Sequence, residues 1–129
     1  MLSSELSILL IYGLITAIVL GLKTTGMVAT MDMGYLLSSR DEKRTLDGML
    51  GRMDRALNNS VVALTLIAPA ILALTLRDQS SSNSILAAQV FLAARVIYVP
   101  AYVFGVRGLR TLVWTIGFLA TVVLYFAAL

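Results

Sequence analysis

A chain of 129 residues that is 59% hydrophobic and 13% charged carries about half the charge of an ordinary globular protein. Its mean hydropathy is +0.90, so too little polar surface remains to coat a soluble bundle of buried helices. The net charge is +3, nucleic acid is not an expected partner, and the lack of cysteine and histidine excludes disulfides, thiolate or imidazole metal sites, and Ser/His or Cys/His nucleophile pairs.

Taken in chain order, the first apolar run covers residues 6–22 and predicts a helix over about 2–31. Only Glu5 precedes it, with no positive segment, so it does not read as a secretory signal. Lys23 lies beyond its most apolar part and can reach an interface. The segment "SSRDEKRTLDG" follows as a solvated charged loop. Asp47 is the candidate N-cap of a second helix over 48–77, whose apolar run is 61–76 and which contains Pro69. The polar turn "RDQSSSN" leads to a third helix over 84–106 with Pro100 inside it. "GVRGLR" is a tight turn, and a fourth helix covers 109–129. Each apolar run, with a few flanking residues, is about long enough to cross a ~30 Å hydrocarbon core. Unpaired backbone groups are costly in lipid, so the runs must be helices. The expected fold is all-α: a single membrane domain over 1–129, folded as a four-helix up-down bundle in contact with membrane lipids.

The charges are distributed unevenly. Arg40, Lys43, Arg44, Arg52 and Arg55 fall between the first and second runs, and Arg107 and Arg110 between the third and fourth. The connection between the second and third holds only Arg77, next to Asp78. The positive-inside rule then makes the first and third connections cytoplasmic and puts both termini outside.

Polar residues also form faces within the helices. At roughly 100° per residue, Arg52, Arg55, Asn59 and Val62 fall within about 80° of one another. Guanidinium groups hold carboxylate or phosphate in a forked geometry, so this stripe suits an anionic, peptide-like ligand. The same residues have blander uses: the arginines can meet lipid phosphates or pair with Asp47 or Asp54, and Asn59 can join helices. In the third helix Arg95 lies inside the apolar stretch "FLAARVIYVPAYVFG", where an arginine must pair, reach water or line a cavity. Tyr98 and Tyr102 lie on its face, within about 60°. Their phenols can donate to an anion or serve as an aromatic belt.

Two motifs carry a family resemblance. "GRMDRALNNSV" resembles the Arg-x-x-Arg-Ala-x-x-Asn-x-x-Glu segment that opens the second helix of the MAPEG family, membrane-associated proteins in eicosanoid and glutathione metabolism. "ARVIYVPAYVFGVRGLRTLVWTIG" is similar to that family's Ala-Arg-x-x-Tyr-x-x-x-Tyr segment with its short loop and arginine. The charged first loop is similar to that of bacterial members, which implies a bacterial inner membrane. The resemblance implies a homotrimer in which glutathione lies in a cleft between subunits and opens toward the cytoplasmic leaflet. It implies ligand contacts from Arg55, Asn59, Arg95, Tyr98 and Tyr102, to which the stripe adds Arg52 as a candidate, and thiolate stabilisation by Arg110.

The chain departs from the pattern at one charged position. Val62 stands where active members carry a glutamate that accepts from the glutathione amino group, and Ala63 where some carry an aromatic. Loss of such a charge-assisted contact costs roughly 1.5–3 kcal/mol. The resemblance therefore implies either a glutathione-dependent transferase or peroxidase-like protein, or a catalytically inactive trimer that binds a lipid or a larger membrane complex. A small multidrug transporter matches the size, but it needs an acid deep in a span, and the apolar runs hold none.

Overall fold

The computed structural model describes residues 2–38 and 46–129; Arg40, Lys43, Arg44 and most of the charged first loop lie outside the described residues. The described chain is helical between short turns: α1 Glu5–Thr30, α2 Met33–Leu37, α3 Gly48–Leu76, α4 Ser82–Val103 and α5 Arg107–Ala128. The helices α1, α3, α4 and α5 are long and apolar enough to cross a membrane, with mean hydropathy of 2.2, 2.0, 1.6 and 1.9 over their most apolar stretches. The short α2 has no counterpart among the four apolar runs. Asp32 supports it by accepting from the Gly34 N–H at 3.3 Å.

The helix ends follow local chemistry. Asp47 holds the N-cap position of α3, but its side chain makes no capping hydrogen bond. The chain instead turns at Gly48, whose φ of +61° is readily adopted only by glycine. α4 begins two residues earlier than the apolar run, because Ser81 and Ser84 form a reciprocal capping box. It ends at Val103 rather than 106, because Gly105 at φ +75° closes it. The Gly105 and Val106 N–H groups then satisfy the carbonyls of Tyr102 and Ala101. Asp78, at φ +56°, closes α3 in the same way through Thr75 and Leu74. Pro69 and Pro100 both lie inside their helices.

α4 is the central element. Half of its most apolar stretch is buried, against 28% for α1 and α3 and 33% for α5. It packs on all three. Lipid tails are as apolar as leucine, so the helices associate through close van der Waals contact, and small residues at the seams permit it. Ala56, Ala70, Ala88, Ala94 and Ala120 are all buried there. Tyr12 meets Phe91 edge-on at 5.0 Å within the main core. Leu10, Leu14, Ile18, Leu72 and Phe126 point outward, as lipid-facing residues must.

Polar contacts tie the helix ends together. At one end the Glu5 carboxylate accepts from the hydroxyls of Ser80 and Ser84. There too, Arg77 Nη1 donates to the Ala128 carbonyl at 2.9 Å. At the other end Lys23 Nζ meets Asp54 Oδ1 at 2.8 Å, and Arg52 Nε donates to the Val103 carbonyl at 2.7 Å. These pairs fix the frame on which the site is built.

Candidate functional site

The α3 stripe divides once it is folded. Arg52 is half-buried and held by the last carbonyl of α4, where a cation also favours the helix dipole. Arg55 is exposed and lines neither of the cavities described below. Asp54 pairs with Lys23, so among the described residues neither arginine takes it as a partner. Asn59 turns inward: its Oδ1 is buried and has no hydrogen-bond partner among the described residues. The residue also lines a cleft of about 240 Å³.

Arg95 lines the same cleft from α4 and is only 2% exposed. Its Nε donates to the Tyr12 hydroxyl at 3.2 Å and its Nη2 to Ser60 Oγ at 3.3 Å. The Tyr12 hydroxyl donates in turn to the Ser60 carbonyl, and Ser60 Oγ to the Ala56 carbonyl. The guanidinium lies 4.1 Å above the Tyr98 ring. Among the described residues no carboxylate neutralises it. An arginine has five N–H donors, and among the described residues the Arg95 Nη1 pair makes no hydrogen bond. Gly117 on α5 faces the side chain, and a Cβ there would lie in ordinary contact with it, 3.4 Å from Arg95 Cδ. The sequence pattern pointed to Arg95 but missed Tyr12 and Ser60. Their signal was a phenol and a hydroxyl inside apolar runs, with nothing in the spacing to say that they meet.

From Arg95 a stack of rings and cations leads outward. The Tyr98 and Tyr102 rings lie 5.7 Å apart, and the Arg110 guanidinium sits 4.6 Å from the Tyr102 ring. Such contacts hold a cation without neutralising it. Tyr98, Tyr102 and Arg110 line a second, open groove of about 310 Å³ with Thr111 and Trp114. Trp114 is also a wall of the first cleft and so joins the two.

The fold therefore brings Asn59 and Arg95 together in one cavity and Tyr98, Tyr102 and Arg110 in its neighbour. Arg52 and Arg55 stand outside both. The rest of the first cleft is largely apolar, walled by Val62, Ala63, Leu66, Phe91 and Phe118, while Thr121 and Tyr125 spend their hydroxyls on the Gly117 and Leu66 carbonyls. Chemically, the pair of cavities can stabilise an anion at guanidinium and phenol donors while holding an apolar group alongside.

No curated protein matches the chain, and neither does any solved structure. The family model described as the MAPEG family does match, over residues 5–129, a span that takes in all four long apolar helices and every residue of both cavities; the chain is a multi-pass integral membrane protein and belongs to the MAPEG family.

Proposed function

We propose that the protein is a glutathione-dependent membrane transferase or peroxidase-like protein whose thiol is held where Tyr98, Tyr102 and Arg110 meet. The observation that carries this reading is the Arg110 guanidinium, held on the Tyr102 ring in an open groove with no described carboxylate beside it. A cation so placed favours the charged form of a bound thiol. The thiol proton goes to water, and the thiolate attacks an electrophilic carbon of a molecule that has partitioned into the bilayer. A C–S bond forms while the leaving group departs as an anion; at an activated alkene the π bond breaks instead, and the carbanion takes a proton from water. Tyr98 and Tyr102 orient the thiolate, and the apolar cleft beyond Trp114 takes the body of the electrophile. Asn59 and Arg95 hold polar parts of the bound molecules.

The active form is an up-down bundle assembled as a homotrimer, with the cleft completed between subunits. The contacts between helix ends support the first part. The many exposed apolar residues beside the cleft, Val62 and Phe118 among them, leave room for a neighbouring subunit. The termini are outside the cytoplasm of a bacterial inner membrane, and the groove at Arg110 faces the cytoplasm. The distribution of basic residues supports this orientation.

The test is a titration of the detergent-purified protein with glutathione, following thiolate absorbance. A rise that Arg110→Ala abolishes is the expected result; no binding at millimolar glutathione overturns it. A second reading has its own observation. Val62 is 56% exposed on an apolar wall, which fits an acyl chain. On that reading the trimer is catalytically inactive and binds a lipid or another membrane protein. Lipid retained through purification, without glutathione binding, favours it.

A further inference from the structure

Tyr12 and Ser60 line neither cavity, yet both hold a residue that does. Tyr12, Ser60 and Arg95 come from α1, α3 and α4, and each is at most 2% exposed within one subunit. The contacts among them are therefore complete before a neighbouring subunit is added.

The direction of each hydrogen bond follows from the protons available. The Tyr12 hydroxyl has one, and donates it to the Ser60 carbonyl at 3.0 Å. Its lone pairs are left to accept from Arg95 Nε at 3.2 Å. Ser60 Oγ likewise gives its proton to the Ala56 carbonyl at 2.8 Å and accepts from Arg95 Nη2 at 3.3 Å. Two neutral hydroxyls, each with its own donor engaged, thus take the Nε–Nη2 edge of the guanidinium. That edge sets the plane of the cation, whose carbon lies 4.1 Å from the centre of the Tyr98 ring. Tyr98 is a wall of the Arg110 groove. The Tyr98 and Tyr102 rings are 5.7 Å apart, and Arg110 lies 4.6 Å from the Tyr102 ring. A continuous line of contacts therefore runs from α1 to the groove.

We infer that Tyr12 is a positioning residue of the thiol site: by holding the edge of Arg95 it keeps that cation against Tyr98, and so fixes the groove wall that meets the thiol. The inference rests on the thiol reading of the Arg110 groove and adds to it a residue of α1 that touches neither cavity. The aromatic ring of Tyr12 has a separate task, which is to pack edge-on against Phe91 in the main core. Only the hydroxyl acts on the site.

The experiment follows thiolate absorbance of the intact, detergent-purified protein against glutathione concentration and against pH. Tyr12→Phe keeps the ring on Phe91 and removes only the hydroxyl. It is expected to weaken glutathione binding about fivefold and to move the midpoint of thiolate formation to higher pH. Ile8→Val, a change in the buried core one turn away on α1, lowers the unfolding temperature and leaves both readouts where they were. In an Arg95→Met background Tyr12→Phe adds nothing to either readout, because the phenol acts through the guanidinium. Unchanged affinity and midpoint in Tyr12→Phe, whatever its unfolding temperature, overturn the inference and leave the thiol reading intact. Equal effects of Tyr12→Phe with and without Arg95 overturn it as well. If glutathione gives the unaltered protein no signal that Arg110→Ala removes, the thiol reading fails and the inference falls with it. Should Tyr12→Phe fail to insert, Ser60→Ala decides by the same two readouts, since it removes the second acceptor of the same edge. A shift in the same directions supports the inference, and no shift overturns it.

Discussion

The two ends of the bundle handle charge in opposite ways. At the Glu5 end the polar groups answer one another. Glu5 accepts from Ser80 and Ser84, Ser81 and Ser84 cap α4 reciprocally, and Arg77 closes on the Ala128 carbonyl. At the other end Lys23–Asp54 and Arg52–Val103 fix the helices, but Arg55, Arg107 and Arg110 form no ion pair with any described residue. Among the described residues Arg110 meets an aromatic ring and no carboxylate. The first end is a closed structural lock. The second is a rigid frame around positive charge that the described protein leaves unneutralised. Arg95, buried between them, belongs to the second kind by its charge and to the first by its hydrogen bonds.

Substitutions at the closed end should therefore change stability and leave binding alone. The largest effect is expected from Glu5→Ala. It removes charge-assisted hydrogen bonds from the Ser80 and Ser84 hydroxyls, a loss of about 1.5–3 kcal/mol. Glu5→Gln keeps an acceptor and should cost roughly half of that. Thermal unfolding in detergent measures both, and the glutathione-induced thiolate signal should be unchanged in each. A variant that keeps its stability but loses the signal would break the division between the two ends.

Arg95→Met sharpens the same contrast from the middle of the bundle. The apolar stem that faces Gly117 is largely preserved. Tyr12 still donates to the Ser60 carbonyl, and Ser60 to Ala56. What disappears is a buried charge with no described counter-ion, together with two long hydrogen bonds and a ring contact. Replacing buried ionic groups by packed apolar ones often stabilises, so the ligand-free protein should gain about 1–2 kcal/mol. Thiol binding should fall. Loss of stability on this substitution would make Arg95 part of the lock.

The sequence made the spans legible because lipid imposes one local rule on every long apolar run. It made Arg95, Tyr98 and Tyr102 legible because one helix holds them at fixed spacing. Partners on other helices were not legible. Tyr12 lies 83 residues from Arg95, and Ser60 lies 35 away. The helical stripe of Arg52, Arg55 and Asn59 was a true face, yet its members met different neighbours. Arg52 found a carbonyl freed where Gly105 ends α4, and that helix end depends on a backbone angle rather than on hydrophobic pattern. Val62 was read as a missing carboxylate; only the fold puts it in the same cleft as Asn59 and Arg95.

The smallest expected effect is also the most discriminating. Asn59 Oδ1 is a buried acceptor with no described partner, and leaving such a group unsatisfied costs free energy in the empty protein. Asn59→Leu removes that acceptor and extends the apolar wall already formed by Val62, Ala63 and Leu66. The ligand-free protein should therefore gain about 0.5–1 kcal/mol, read from its unfolding temperature. Thiol binding should weaken, since a ligand donor loses its acceptor. Asn58, exposed on the neighbouring position, is the control, and Asn58→Leu should alter neither quantity. If Asn59→Leu instead destabilises the protein by more than about 1 kcal/mol, the amide is joining helices, as polar side chains in membranes commonly do. Asn59 would then move to the closed class with Glu5, and among the described lining residues the first cleft would keep Arg95 as its charged anchor.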